Sequence, residues 1–134
     1  MSDEHGPAQE TSTPLVLIID DAEDLRLMVA EFLETQGFRV TTVKNGFEGV
    51  RVAVESKPDV ILLDLDMPGM DGLETARLLK RQAVTAAIPI VAFTGQTVLN
   101  DLPRLQACGF TELISKPHQP LALLATLRRI VNAV

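Results

Sequence analysis

The 134-residue chain contains no tryptophan and no tyrosine, and its aromatic content is five phenylalanines. That leaves none of the Trp or Tyr rings suited to stack on a flavin, which argues against an electron carrier of that type. One cysteine, Cys108, excludes an intramolecular disulfide and fits a reducing cytoplasm. It is expected as a small buried residue near a helix end. No apolar run approaches the ~20 residues of a membrane span. The opening stretch MSDEHGPAQETSTP is acidic and lacks an apolar segment, so it is not a signal peptide. Basic residues are in deficit, 12 against 18 acidic ones, for a net charge of −6. Such a surface offers no direct electrostatic footprint for nucleic acid.

What the chain does contain is enough apolar material, 46%, for one ordinary domain with a real core. Residues 1–13, rich in Ser, Thr, Pro and Glu, read as a disordered tail, and 14–134 as the folded domain. Five short apolar or alternating runs alternate with helical ones. Leu15–Ile19, Val60–Leu63, Ile90–Phe93 and Leu113–Ser115 are too short and β-branched for helices, and Arg39–Val43 alternates as a strand does.

Between the strands, residues 22–36 place Leu25, Met28, Val29, Phe32 and Leu33 on one helical face, closed by Gly37. Asn45 and Glu48 have capping-box spacing and open a second helix. A third should start near Gly72, a fourth should occupy roughly 97–107 before Gly109, and Pro120 suits the first turn of a last helix over 120–132. This strict alternation implies an α/β domain: a five-stranded parallel sheet with five helices on its two faces. The pattern alone does not order the strands.

Polar residues stand where the apolar runs stop: Asp20 and Asp21 after the first, Asp64 after the third, Thr94 after the fourth and Lys116 after the fifth. Ligands of open parallel sheets bind at the carboxyl ends of the strands. Three carboxylates, a hydroxyl and an ammonium should therefore converge. Like charges so close need a hard cation, and Mg2+ suits few carboxylates, waters and a phosphoryl oxygen. Asp64 is then placed as a nucleophile toward phosphorus. The plainer readings are helix caps for Asp20 and Asp21, a loop cap for Asp64, a β-branched strand residue for Thr94 and a solvated lysine for Lys116.

The segments LVLIIDD, PDVILLDLDMPGMDG, IPIVAFTG and ISKP, in this order and spacing, resemble the receiver domains of two-component response regulators over residues 14–134. The resemblance implies a flavodoxin-like, doubly wound sheet of order 2-1-3-4-5. It implies that Asp64 accepts phosphate from a phosphohistidine on a histidine kinase or histidine phosphotransfer protein. It also implies Mg2+, with Mn2+ as an alternative, held by Asp21, Asp64 and the backbone carbonyl of Asp66, Asp20 acting mostly through water. Thr94 and Lys116 become the phosphoryl ligands, the Lys116–Pro117 bond is expected to be cis, and the output face is helix 4–strand 5–helix 5. The expected role is a cytoplasmic switch without external turnover. Because the chain starts at Met1 and stops after the fifth helix, a stand-alone regulator or relay intermediate is favoured over a module cut from a larger regulator or hybrid kinase.

Some positions depart from that pattern. Leu113 stands where many receivers carry an inward-turning Tyr or Phe, so readout is expected through the loop and fourth helix. His118, a frequent Phe position, is expected to face solvent. Asp66 and Gln96, two residues after Asp64 and Thr94, border the path of hydrolytic water and should set phosphoryl lifetime. The last helix (Leu121, Leu123, Leu124, Leu127, Ile130, Val131, Val134) has more apolar residues than one core stripe needs. Core packing is one account; an exposed strip shared with Val98, Leu99, Leu102 and Leu105 is the other. A haloacid-dehalogenase-like phosphatase shares the Asp64-x-Asp66 form, but its acidic metal pair would follow the lysine, whereas here the pair comes first.

Overall fold

The computed structural model describes residues 13–67, 72–95, 102–115 and 120–132. Its elements follow in strict alternation: β1 (Leu15–Ile19), α1 (Glu23–Thr35), β2 (Arg39–Val43), α2 (Gly46–Ser56), β3 (Val60–Asp64), α3 (Gly72–Arg81), β4 (Ile90–Thr94), α4 (Leu102–Ala107), β5 (Glu112–Ser115) and α5 (Pro120–Val131). All strand pairs are parallel and the order is β2-β1-β3-β4-β5. This is the flavodoxin-like arrangement.

The central strands carry apolar residues on both sides because both sheet faces are covered. Leu17, Ile19, Ile61, Leu63, Ile90 and Ala92 share one core layer with Ala53 of α2, Ala76 and Leu79 of α3 and Leu105 of α4. Val16, Ile18, Val60, Leu62, Val91 and Phe93 face the other way, onto Val29 and Leu33 of α1 and Leu123 and Leu127 of α5. Alternation with period two thus splits each strand between two cores.

Local signals end the helices as their chemistry requires. After α1, Gly37 adopts φ +96°, its N–H donates to Glu34 O (3.2 Å) and the Phe38 N–H to Leu33 O (3.2 Å). That is a Schellman closure, and a left-handed residue is needed to make it. The same pair of bonds closes α4: Gly109 N to Gln106 O and Phe110 N to Leu105 O, both 3.0 Å. At the start of α2, Asn45 Oδ1 accepts from Glu48 N at 2.8 Å.

Two expectations change and one open choice, the packing of the last helix, is decided. Met28 lies half exposed, and the buried stripe of α1 is Val29, Ala30 and Leu33. The helix meets the sheet through Val29, Ala30 and Leu33, with Leu25 and Phe32 packed at the margin. Cys108 is half-buried against the core edge rather than enclosed. Core packing accounts for most of α5: Leu123, Leu124 and Leu127 are buried, Ile130 and Val131 pack on the core margin, and Leu121 is 76% exposed. Leu105 is also buried, so among the described residues of the two helices there is no continuous exposed strip. Residues 1–12, Val98, Leu99, Val134 and the expected start of the fourth helix near 97 lie outside the described residues.

Candidate functional site

Parallel strands end at one edge of the sheet, and the register decides which ends are neighbours. Ile19 pairs with Leu63, so Asp20, the next residue after β1, comes beside Asp64 at the end of β3. Asp64 pairs with Phe93, which puts Thr94 level with the residue that leaves β3. At the opposite edge, reciprocal bonds help hold β1 and β3 in step: Leu15 N donates to Asp59 Oδ2 (2.7 Å) and Asp59 N to Leu15 O (2.8 Å).

Asp20, Asp64 and Thr94 are all within 2% of full burial, while Asp21 is exposed at the mouth. Carboxylate oxygens of Asp20, Asp21 and Asp64 lie within 4.8 Å of one another. For the buried pair Asp20 and Asp64, two full charges no more than 4.8 Å apart would repel by at least about 3.5 kcal/mol at an effective dielectric of about 20. An all-oxygen, anionic donor set around a gap of this size is what a small hard dication takes. The residues therefore fit Mg2+.

Backbone N–H groups aim the two buried carboxylates. Asp20 N donates to Val43 O (3.1 Å), and its Oδ1 accepts from Ala22 N (2.9 Å) in the turn that opens α1. The N-cap position is Ala22, without a side-chain cap bond, so Asp20 orders the turn but does not occupy the cap itself. Asp64 Oδ1 accepts from Asp66 N at 3.0 Å. Asp66 Oδ2 in turn accepts from the Thr94 hydroxyl at 3.0 Å and from Gly95 N at 3.3 Å. Leu113 is half-buried against the core layer of Leu17 and Leu63, opposite Ala92 in the β4–β5 register. Lys116, Gln96, His118 and the Lys116–Pro117 bond lie outside the described residues.

Two features were not expected from the sequence. The guanidinium of Arg26 donates from Nη1 to Asp20 O at 2.8 Å, bracing the turn that carries the acidic pair. A signal existed: a cation in the first turns of a helix opposes the macrodipole and needs a local reason. The other is the Asp66–Thr94 hydrogen bond, which joins residues 28 apart in sequence. Nothing local announces it.

Residues 16–128 match the model of the response regulator receiver domain. The phosphate regulon transcriptional regulatory protein PhoB of Pseudomonas aeruginosa is 36% identical over 117 residues, covering 87% of this chain. The chain spans about half, 51%, of that relative's length. Among solved structures, the chemotaxis response regulator CheY4 of Vibrio cholerae superposes with a TM-score of 0.81 at 33% identity, over 88% of this chain and 98% of that one. The receiver domain of sensor histidine kinase PA1611 from P. aeruginosa PAO1, solved with a magnesium ion coordinated in its active-site cleft, superposes with a TM-score of 0.81 at 27% identity, over 89% of this chain and 98% of that one.

Proposed function

The chain belongs to the response regulator receiver family, and on that premise we propose that Asp64 is its phosphoacceptor. The donor is a phosphohistidine on a histidine kinase or a histidine phosphotransfer protein. The observation that carries this reading is the meeting of the Asp20, Asp21 and Asp64 carboxylate oxygens within 4.8 Å of one another at the carboxyl edge of the sheet. Receiver domains are signalling phosphoacceptors, and no external substrate is turned over.

In the reaction, an Asp64 carboxylate oxygen attacks phosphorus. The P–N bond breaks, the imidazole leaves with the bonding pair and gains a proton, and an acyl phosphate remains. Asp21, Asp64 and the Asp66 carbonyl, with Asp20 mostly through water, would hold Mg2+, and when bound it would supply charge neutralisation for the phosphoryl oxygens. Burial of Asp64 limits water at the nucleophile. The Asp66 N–H fixes the orientation of the Asp64 carboxylate through the 3.0 Å bond. Thr94 gives its hydroxyl to a phosphoryl oxygen, and Lys116 supplies a compensating ammonium. Asp66 and Gln96 set the lifetime of the acyl phosphate through the approach of water.

Phosphorylation then shifts a pre-existing equilibrium between inactive and active arrangements. With Leu113 in place of an aromatic ring, readout runs through the end of β4, the loop after it and α4. The α4–β5–α5 face meets a downstream protein or passes phosphate on. Residues 14–134 make up this receiver unit, with 1–13 a tail, and it works in the cytoplasm. None of the described helices is long and apolar enough to cross a membrane.

The test is incubation with acetyl phosphate and Mg2+ followed by intact-mass measurement, and transfer from phosphorylated histidine donors. One added phosphoryl group is expected, lost in Asp64→Asn. Labelling that persists in Asp64→Asn overturns the acceptor.

A further inference from the structure

Two donors from the end of β4 converge on a single carboxylate oxygen of a residue beyond β3. Asp66 Oδ2 accepts from Thr94 Oγ1 at 3.0 Å and from Gly95 N at 3.3 Å. The same residue's N–H holds Asp64 Oδ1 at 3.0 Å. Asp66 thus links the candidate acceptor to the candidate switch residue, one group through its backbone and the other through its side chain. Thr94 is 2% exposed, whereas Asp66 stands in solvent.

A threonine hydroxyl carries one proton and donates it to one acceptor at a time. A carboxylate is a stronger acceptor than a neutral oxygen, and two donors on one oxygen fix its position. A phosphoryl group on Asp64 is also anionic and needs the same proton. The two anions compete for it and repel each other.

We infer that the Asp66 side chain is a latch that holds Thr94 and Gly95 in the unphosphorylated arrangement and opposes their capture by a phosphoryl group on Asp64. This rests on the receiver reading above and adds a direction to it. The latch belongs to the resting state, so its removal favours the phosphoryl-bound state. Asp66 acts through Thr94 and is a positioning residue. Its carboxylate sets how much of the interaction with phosphate is used in releasing the end of β4.

The test is a double-mutant cycle read by titration with beryllofluoride, a phosphoryl mimic, in the presence of Mg2+. Binding is followed through the Gly95 amide and Thr94 methyl resonances. Asp66→Ala is expected to tighten binding about tenfold, the scale of a hydrogen bond to a charged group at an exposed site, and Asp66→Asn about threefold. In the ligand-free protein, the Gly95 amide should shift in Asp66→Ala, since it loses its acceptor. In a Thr94→Val background the gain from Asp66→Ala should largely vanish.

An equal gain in both backgrounds would mean general removal of negative charge near the carboxylate cluster, and would overturn the latch. So would unchanged or weaker binding in Asp66→Ala while the wild type binds normally. If the wild type shows no Mg2+-dependent binding of the mimic and takes no phosphoryl group from acetyl phosphate, the receiver reading fails, and the latch with it.

Discussion

Gly72 opens α3 directly against the loop that leaves Asp64, and Gly72→Ala tests how tightly that loop is built. A Cβ on Gly72 would lie 2.6 Å from Leu65 Cδ2, 2.8 Å from Asp64 O and 2.8 Å from Leu65 Cα. Real Cβ atoms essentially never come within 3.0 Å of such neighbours. The Leu65 methyl could rotate only into a packed core, since Leu65 is buried. The other two atoms are backbone, so α3 or the end of β3 must move by a few tenths of an ångström. Overpacking of this kind costs about 1–3 kcal/mol. Better helix propensity returns at most about 1 kcal/mol, and less at a helix start. The net expectation is a loss of about 1–2 kcal/mol, or roughly 3–8 °C in Tm for a domain of this size. Thermal melting followed by far-UV circular dichroism measures it. The Asp66 amide resonance should shift as well, because the displaced backbone carries the carboxylate that it contacts. A midpoint equal to or above that of the wild type, with the Asp66 amide unmoved, would refute the close approach as described.

Three further outcomes follow from the same geometry. Leu127→Ala empties a fully buried position in the layer of Val16, Ile18 and Phe93; it should cost about 3 kcal/mol, read as a lower urea midpoint at unchanged slope, while Leu121→Ala on the exposed side of the same helix should cost under about 0.5 kcal/mol. Mg2+ at about 100 times its Kd should stabilise the protein by about 2.7 kcal/mol; Asp21→Asn, at the exposed corner of the cluster, should remove most of that gain in a melting series with and without chelator. Burial lowers the Lys80 pKa below the ordinary 10.5, while its Nζ donates to Ala86 O (3.0 Å) and Ile88 O (2.8 Å). Between the lowered folded value and 10.5 the unfolded chain binds more protons, so this residue makes stability rise with pH across that alkaline window; Lys80→Met should flatten the rise in urea midpoints there, and an unchanged slope would count against it.

Much of the architecture was legible because its causes are local. The β-branched runs at 15–19, 60–63 and 90–93 could be placed as buried strands from composition and length, and the observed strands extend one residue further at Asp64 and Thr94. Gly37, Asn45 and Gly109 act through bonds to residues three to five positions away, so their caps were readable to within a residue or two. The outward turn of Met28 was not legible, since helical period alone does not say how wide a face the sheet will cover. The apolar excess of α5 was ambiguous for the same reason. Its resolution depended on Phe93, Val16 and Ile18 lying beneath it.

The candidate site divides along the same line. By itself, the sequence determined that carboxylates at 20, 21 and 64 and a threonine at 94 stand at strand ends, because strand termini are set by local composition. The order of the strands came from family resemblance, not from the alternation of elements. The convergence of Asp20 and Asp64 was expected from the strand ends, and the tertiary structure supplied the pairing that produces it, the Ile19–Leu63 register. Tertiary structure placed Arg26 on the Asp20 carbonyl, which the sequence only hinted at, and it alone placed Gly72 against Asp64 and Asp66 on Thr94. Propensity and periodicity act over a few residues, whereas these contacts join segments that meet only after the crossover helices have set the sheet in register.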